Sequence, residues 1–390
     1  MRKLLRGMVG ITLFAGMACG SSSSSPGIVT PHPDAGTDAR PTVDAPVADT
    51  SVSRADTSVP ADALLPPADA STIFDAGAFD VAQFKGDAGV VAPTRPGPYT
   101  YAATTGSFNS TYDGGGGASV ATYVAYPPAG PKPGPYPVII FAHGFDLSPS
   151  QYYDYIDRAA SFGYVGMTVD FADSLVASNY VENVADFLGG LNWLESQSNG
   201  STGPLVGLAN TQLVGSSGHS LGGKLAILAA AQDSRIKASL VFDPVDGSAM
   251  CAGPNLCPNA SSVLPLNIPT GFLGETLDST PAPGFTQACA PANANYTTLY
   301  PLASSPSFEL TINGAGHLSF LDDISSCVLV CSFCAKPTAP TAEVLGIAET
   351  YLVAFYERYL RGDTGYDTYL TGAAANQLFV QTNEATLQSK

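Results

Sequence analysis

The chain has 390 residues, with 16 Lys and Arg against 33 Asp and Glu and a formal net charge of −17. So acidic a chain excludes nucleic acid as a partner, because phosphate binding needs clustered basic side chains. Hydrophobic residues make up 45% of the sequence, enough for a sizeable core in one large domain or two medium ones.

Arg2, Lys3 and Arg6 precede a short apolar run over residues 8–18, the pattern of an export signal. The run is too short to anchor stably across a bilayer. Small residues then lead to Cys19, Gly20 and a serine run over 21–25. This start resembles a bacterial lipoprotein signal, although Gly16 stands where that pattern prefers leucine. The resemblance implies lipidation of Cys19 and membrane contact through that anchor alone; cleavage nearby would instead give a secreted protein. Residues 1–19 are therefore read as the signal. Residues 20–96 are rich in Ser, Pro, Ala and Asp and hold few aromatics, so they cannot bury enough apolar surface to offset chain entropy. They read as a disordered linker, and 97–390 as the folded domain.

Within that domain residues 119–126 alternate as a strand, and 138–142 form a continuous apolar run expected of a strand buried on both faces. A helix over 152–162, a strand over 163–170 and a helix over 181–196 follow. Leu213 then leads through Val214 into Gly218-His219-Ser220-Leu221-Gly222, and an alanine-rich helix spans 221–232. Strand, sharp turn, helix is the setting a G-x-S-x-G nucleophile elbow requires. The plainer reading is a Gly-rich turn that contains a serine. Strands over 236–242, 268–274 and 308–312 and an amphipathic helix over 342–360 complete the pattern. Strands alternating with helices predict an α/β class with a mostly parallel, doubly wound sheet and helices on both faces.

A serine nucleophile needs a base and an acid that orients the base. Of the four histidines, His32 lies in the linker, His219 sits inside the elbow and His143 ends the second predicted strand. His317, just after the last predicted strand, is left as the base, in the chain order Ser, acid, His that this fold uses. A loop histidine without a role is the plainer alternative. The acid is open between Asp243, one helix and one strand after Ser220, and the segment after the next strand, which offers Asp278 or Glu275. The backbone N–H groups of Leu221 and Phe145 are the expected oxyanion donors, and the Phe145 ring a wall of the acyl pocket.

Seven cysteines accord with export. Apart from Cys19, Cys251 and Cys257 are placed to close a short loop, and Cys289, Cys327, Cys331 and Cys334 to staple the histidine loop in a pairing left open. Cys331-x-x-Cys334 has no second such pair and no fitting histidine spacing, so neither a metal nor an organic cofactor is expected.

Four separated motifs resemble chlorophyllases and chlorophyllase-like esterases: Gly218-His219-Ser220-Leu221-Gly222-Gly223-Lys224, Asp243-Pro244-Val245-Asp246-Gly247, Cys289-Ala290-Pro291, and Gly316-His317-Leu318-Ser319-Phe320-Leu321-Asp322-Asp323. The resemblance covers residues 118–333, and the domain is more distantly similar to bacterial cutinases and polyester hydrolases. It implies an α/β-hydrolase fold, hydrolysis of carboxylic esters through an acyl-enzyme on Ser220, and Asp243 as the acid, with Asp278 as the alternative. The chain departs from the plant pattern at Leu221, where arginine is common, and in its lipoprotein-like start. Ring-cleaving dienelactone hydrolases use cysteine where Ser220 stands. The expected partner is a small or polymeric ester, bound by a monomer whose loops 247–265 and 281–301 set selectivity. The rival readings are a non-catalytic cell-surface binding protein with this fold, and a serine peptidase or acyltransferase.

Overall fold

The computed structural model describes residues 90–112, 117–128, 130–173, 177–247, 251–253, 255–277, 279–284, 288–326 and 333–390. The expected signal, Cys19 and the linker up to residue 89 lie outside the described residues, as do Asp278, Cys327 and Cys331.

One nine-stranded sheet, in the order β1-β2-β4-β3-β5-β6-β7-β8-β9, carries the domain. Its strands are β1 (Ala102–Asn109), β2 (Ser119–Tyr126), β3 (Tyr136–Ala142), β4 (Val165–Asp170), β5 (Ala209–His219), β6 (Ile236–Phe242), β7 (Thr270–Glu275), β8 (Ser307–Ile312) and β9 (Ala385–Ser389). The six strands from β3 to β8 run parallel; β1, β2 and β9 pair antiparallel at the edges. This is the mostly parallel, doubly wound α/β-hydrolase arrangement.

Every residue of β3 is buried, because parallel neighbours flank it and helices cover both faces. Ile139 and Phe141 point into a core built with α1 (Tyr153–Ser161). Val138, Ile140 and Ala142 point into the opposite core, with α2 (Tyr180–Ser198) and α3 (Leu221–Gln232). A short α4 (Tyr296–Leu299) follows β7, and α5 (Thr341–Tyr359) packs on the same face as α1. The small residues of β5 have a steric purpose: a Cβ on Gly215 would lie 2.2 Å from the Tyr356 ring of α5. Tyr356 Oη in turn donates to the Ser216 carbonyl at 2.8 Å.

The structure corrects the sequence reading in two places. The folded region begins before Gly97: Pro93 is buried, Val90 packs on the core, and the Val91 carbonyl accepts from Tyr366 Oη at 3.0 Å. Strands β1 and β9 were not foreseen. β1 alternates between half-buried and exposed residues and holds only one large apolar side chain, so its pairing with β2 defines it rather than its own hydrophobicity. Two disulfides, Cys251–Cys257 and Cys289–Cys334, lie among the described residues, where no helix is long and apolar enough to cross a membrane.

Candidate active site

Strand β5 ends in the turn that carries Ser220, whose φ of 57° and ψ of −121° lie in a region L-residues avoid. Three backbone hydrogen bonds hold it there. Its N–H donates to the Phe242 carbonyl at 3.0 Å, and its carbonyl accepts from Val245 at 3.1 Å and Lys224 at 3.2 Å. The glycines are compulsory: a Cβ on Gly222 would lie 2.0 Å from the Ala142 oxygen, and one on Gly218 2.3 Å from the Gly222 oxygen.

His317 Nε2 lies 2.8 Å from Ser220 Oγ, and His317 Nδ1 lies 2.6 Å from Asp243 Oδ2. A carboxylate only accepts, so Nδ1 carries the ring hydrogen and Nε2 is free to accept from the serine hydroxyl. All three side chains are buried. Asp243 directly follows β6, with φ of 38° and its N–H donating to the Leu273 carbonyl at 2.6 Å. Burial pushes its carboxyl up to about 8, against the opposing pull of a hydrogen bond with Glu275. His317 opens a 3₁₀ turn (His317–Phe320) after β8, entered through Gly314 at φ of 72°. Of the acid candidates, Asp243 meets His317, Glu275 meets Asp243 instead, and Asp278 lies outside the described residues.

His219 packs beneath the turn. Its Nε2 lies 2.8 Å from the His317 carbonyl and so donates to it; its Nδ1 then accepts from Tyr152 Oη at 2.8 Å. The same Tyr152 oxygen accepts the Gly144 N–H at 3.1 Å. Burial, and secondarily His317, holds the His219 pKa well below the usual range, so the ring stays neutral. His143 stacks on Phe171 with centroids 3.8 Å apart and braces the loop that presents Phe145. Ser220, His317, Phe145 and Leu221 border one cavity of about 200 Å³, whose further walls include Leu147, Val245, Pro291 and Leu318.

Sequence reasoning gave no role to Lys224, Asp246 or Tyr152. Lys224 is completely buried, donates to the Gly247 carbonyl at 2.8 Å and lies 3.4 Å from Asp246 Oδ1. Asp246 also accepts the Ala260 and Ser261 N–H groups, so the pair pins the loop after β6 to α3. A lone charge in an otherwise apolar helix was the available signal. Tyr152 left none, because its partners come from distant segments. Among the described residues no group of three His, Cys, Asp or Glu side chains is placed to hold a metal ion.

Residues 122–379 match the family model described as Chlorophyllase. The chain belongs to the chlorophyllase family. It is 27% identical over 253 residues to chlorophyllase type 0 of Chenopodium album, covering 59% of this chain and 69% of that one. It is 26% identical over 246 residues to chlorophyllase-2 of Arabidopsis thaliana, covering 59% and 75%. Membership in the chlorophyllase family implies the general chemistry of a carboxylic ester hydrolase of the α/β-hydrolase type.

Proposed function

We propose that this protein is a serine esterase that cleaves apolar carboxylic esters through an acyl-enzyme on Ser220. The observation that carries the proposal is the hydrogen-bonded chain Ser220–His317–Asp243 at the edge of an apolar cavity. In this reading His317 Nε2 takes the Ser220 proton as Oγ attacks the ester carbonyl, and Asp243 holds the ring and stabilises the imidazolium. The Leu221 and Phe145 amides receive the oxyanion. His317 then returns the proton to the departing alcohol, and a water activated by the same ring releases the acid.

A cavity of about 200 Å³ is smaller than the roughly 300–1,000 Å³ that enclose drug-sized ligands. It therefore receives one arm of the ester, and the remainder lies against the mouth. The chlorophyll-type phytyl ester, acyl lipids and polyester chains are the substrates to compare. The two disulfides and the signal-like start support action outside the cytoplasm, by a monomer tethered at Cys19 or released.

The test is turnover of p-nitrophenyl esters from acetate to long acyl chains, followed by chlorophyll and a polyester film. Ser220→Ala and His317→Ala should each lower kcat/KM by about 10⁴-fold or more. Asp243→Asn should cost far more than Asp278→Asn. A folded wild type that turns over none of these esters and resists a fluorophosphonate probe would remove the proposal.

A further inference from the structure

Glu275 ends β7 with only 4% of its surface exposed, and Asp243 beside it is fully buried. The Glu275 carboxyl lies within hydrogen-bonding reach of the Asp243 carboxyl. Two ionised carboxylates cannot bond, since both are acceptors only, whereas one proton shared between them would satisfy both. The surroundings indicate where the negative charge sits. His317 Nδ1–H donates to Asp243 Oδ2, while among the described residues no N–H or hydroxyl reaches the buried Oδ1. A buried carboxylate oxygen in that position requires a donor.

We propose that Glu275 is protonated in the resting protein and donates its carboxyl hydrogen to Asp243 Oδ1, acting as a positioning residue for His317. The inference rests on the reading of Ser220, His317 and Asp243 as a triad. Asp243 then accepts one hydrogen on each oxygen, which fixes its rotamer at the unusual backbone angle it adopts. The buried cluster carries one negative charge rather than two, so the imidazolium formed during the reaction faces a single oriented carboxylate. The acids at the ends of β6 and β7 work in series rather than as rivals.

The neighbouring titratable groups are consistent with this. His219, 4.6 Å from His317 between ring centroids, is held neutral by burial. Tyr296 of α4 donates to the Glu275 carbonyl at 2.9 Å, and burial raises its pKa so that it stays neutral. Glu309 of β8 is a further carboxyl acting on Tyr296, and the Lys224–Asp246 pair ties α3 to the loop after β6. Burial holds the Asp243 carboxyl well above the ordinary carboxylate range, so in this proposal the paired site keeps one proton at neutral pH. Losing that proton places two like charges together, which turns Asp243 from His317 and lowers kcat on the alkaline side.

The experiment compares the full-length protein with Glu275→Gln and Glu275→Ala. Glutamine can still donate to Oδ1 and accept the Leu277 N–H that Glu275 Oε2 holds at 2.5 Å. Glu275→Gln should retain kcat to within about fivefold and lose the alkaline decline, whereas Glu275→Ala should lose about 10–100-fold in kcat with KM little changed. An infrared difference spectrum of wild type against Glu275→Gln at neutral pH should show the C=O stretch of a protonated carboxylic acid. That band requires no turnover, so it separates failure of this inference from failure of the esterase reading. Absence of the band, or a folded Glu275→Gln protein as slow as Glu275→Ala, would overturn the assignment.

Discussion

At the scale of single residues, three short segments far apart in sequence meet through one phenol. Tyr152 accepts from Gly144 in the loop that presents Phe145 and donates to His219, which donates to the His317 backbone. The positions of the proposed oxyanion loop, elbow and base are thereby coupled without any of these groups entering the chemistry. Tyr152→Phe keeps the ring but leaves the buried Gly144 N–H and His219 Nδ1 without their partner. The expected cost is about 1–3 kcal/mol in stability and a fall of about tenfold in kcat, read by denaturant unfolding and ester turnover. Unchanged kcat in a destabilised protein would make Tyr152 a core residue only. Ser220 and His317 were legible in the sequence because glycine spacing and chain order single them out. Asp243 and Asp278 were not separable there, because both follow strands that end on the same side of the sheet.

At the scale of elements, α1 illustrates a cap supplied from elsewhere in the chain. Tyr152 at its start makes no side-chain cap; instead Asp322 Oδ2, just beyond the His317 turn, accepts the Asp154 N–H at 2.9 Å. Burial, with repulsion from Asp154 and Glu349, pushes the Asp322 carboxyl up to about 8, and among the described residues its Oδ1 has no hydrogen-bond partner. The folded-state pKa thus exceeds the unfolded value. The folded protein binds more protons across that window, and the stability this contributes is lost as pH rises through about 8. Asp322→Asn keeps an acceptor for the cap and removes the charge. Its Tm should exceed that of wild type by about 2–4 °C above pH ~8 and the gap should close below pH ~4. Thermal melts across that range check this; an equal gap at both ends would show that the charge is not the cause. Elements such as β3 and α5 were legible because their apolar residues run continuously or at helical spacing. β1 was not, because an edge strand buries little and borrows its conformation from β2.

For the molecule as a whole, the order of motifs along the chain carried the fold, since parallel strands joined by helices leave few topologies open. The disulfide pairing could not be read, because it depends on where two loops end in space. Cys289, in the segment between β7 and α4, joins Cys334, beyond the His317 turn, and both border the cavity beside Ser220. The closed loop spans 45 residues, which in the chain-entropy account contributes about 4 kcal/mol by restricting the unfolded chain. It also ties one cavity wall to the segment that follows the proposed base. Cys334→Ser in the oxidised protein should therefore lower Tm by about 10 °C. KM for long-chain esters should rise more than kcat falls, because Ser220, His317 and Asp243 stay hydrogen-bonded through strands the disulfide does not touch. Calorimetry and an ester chain-length series read the two effects separately. A loss confined to kcat would instead mean that the disulfide positions His317 directly, and an unchanged Tm would mean that the two loops are held by their packing alone.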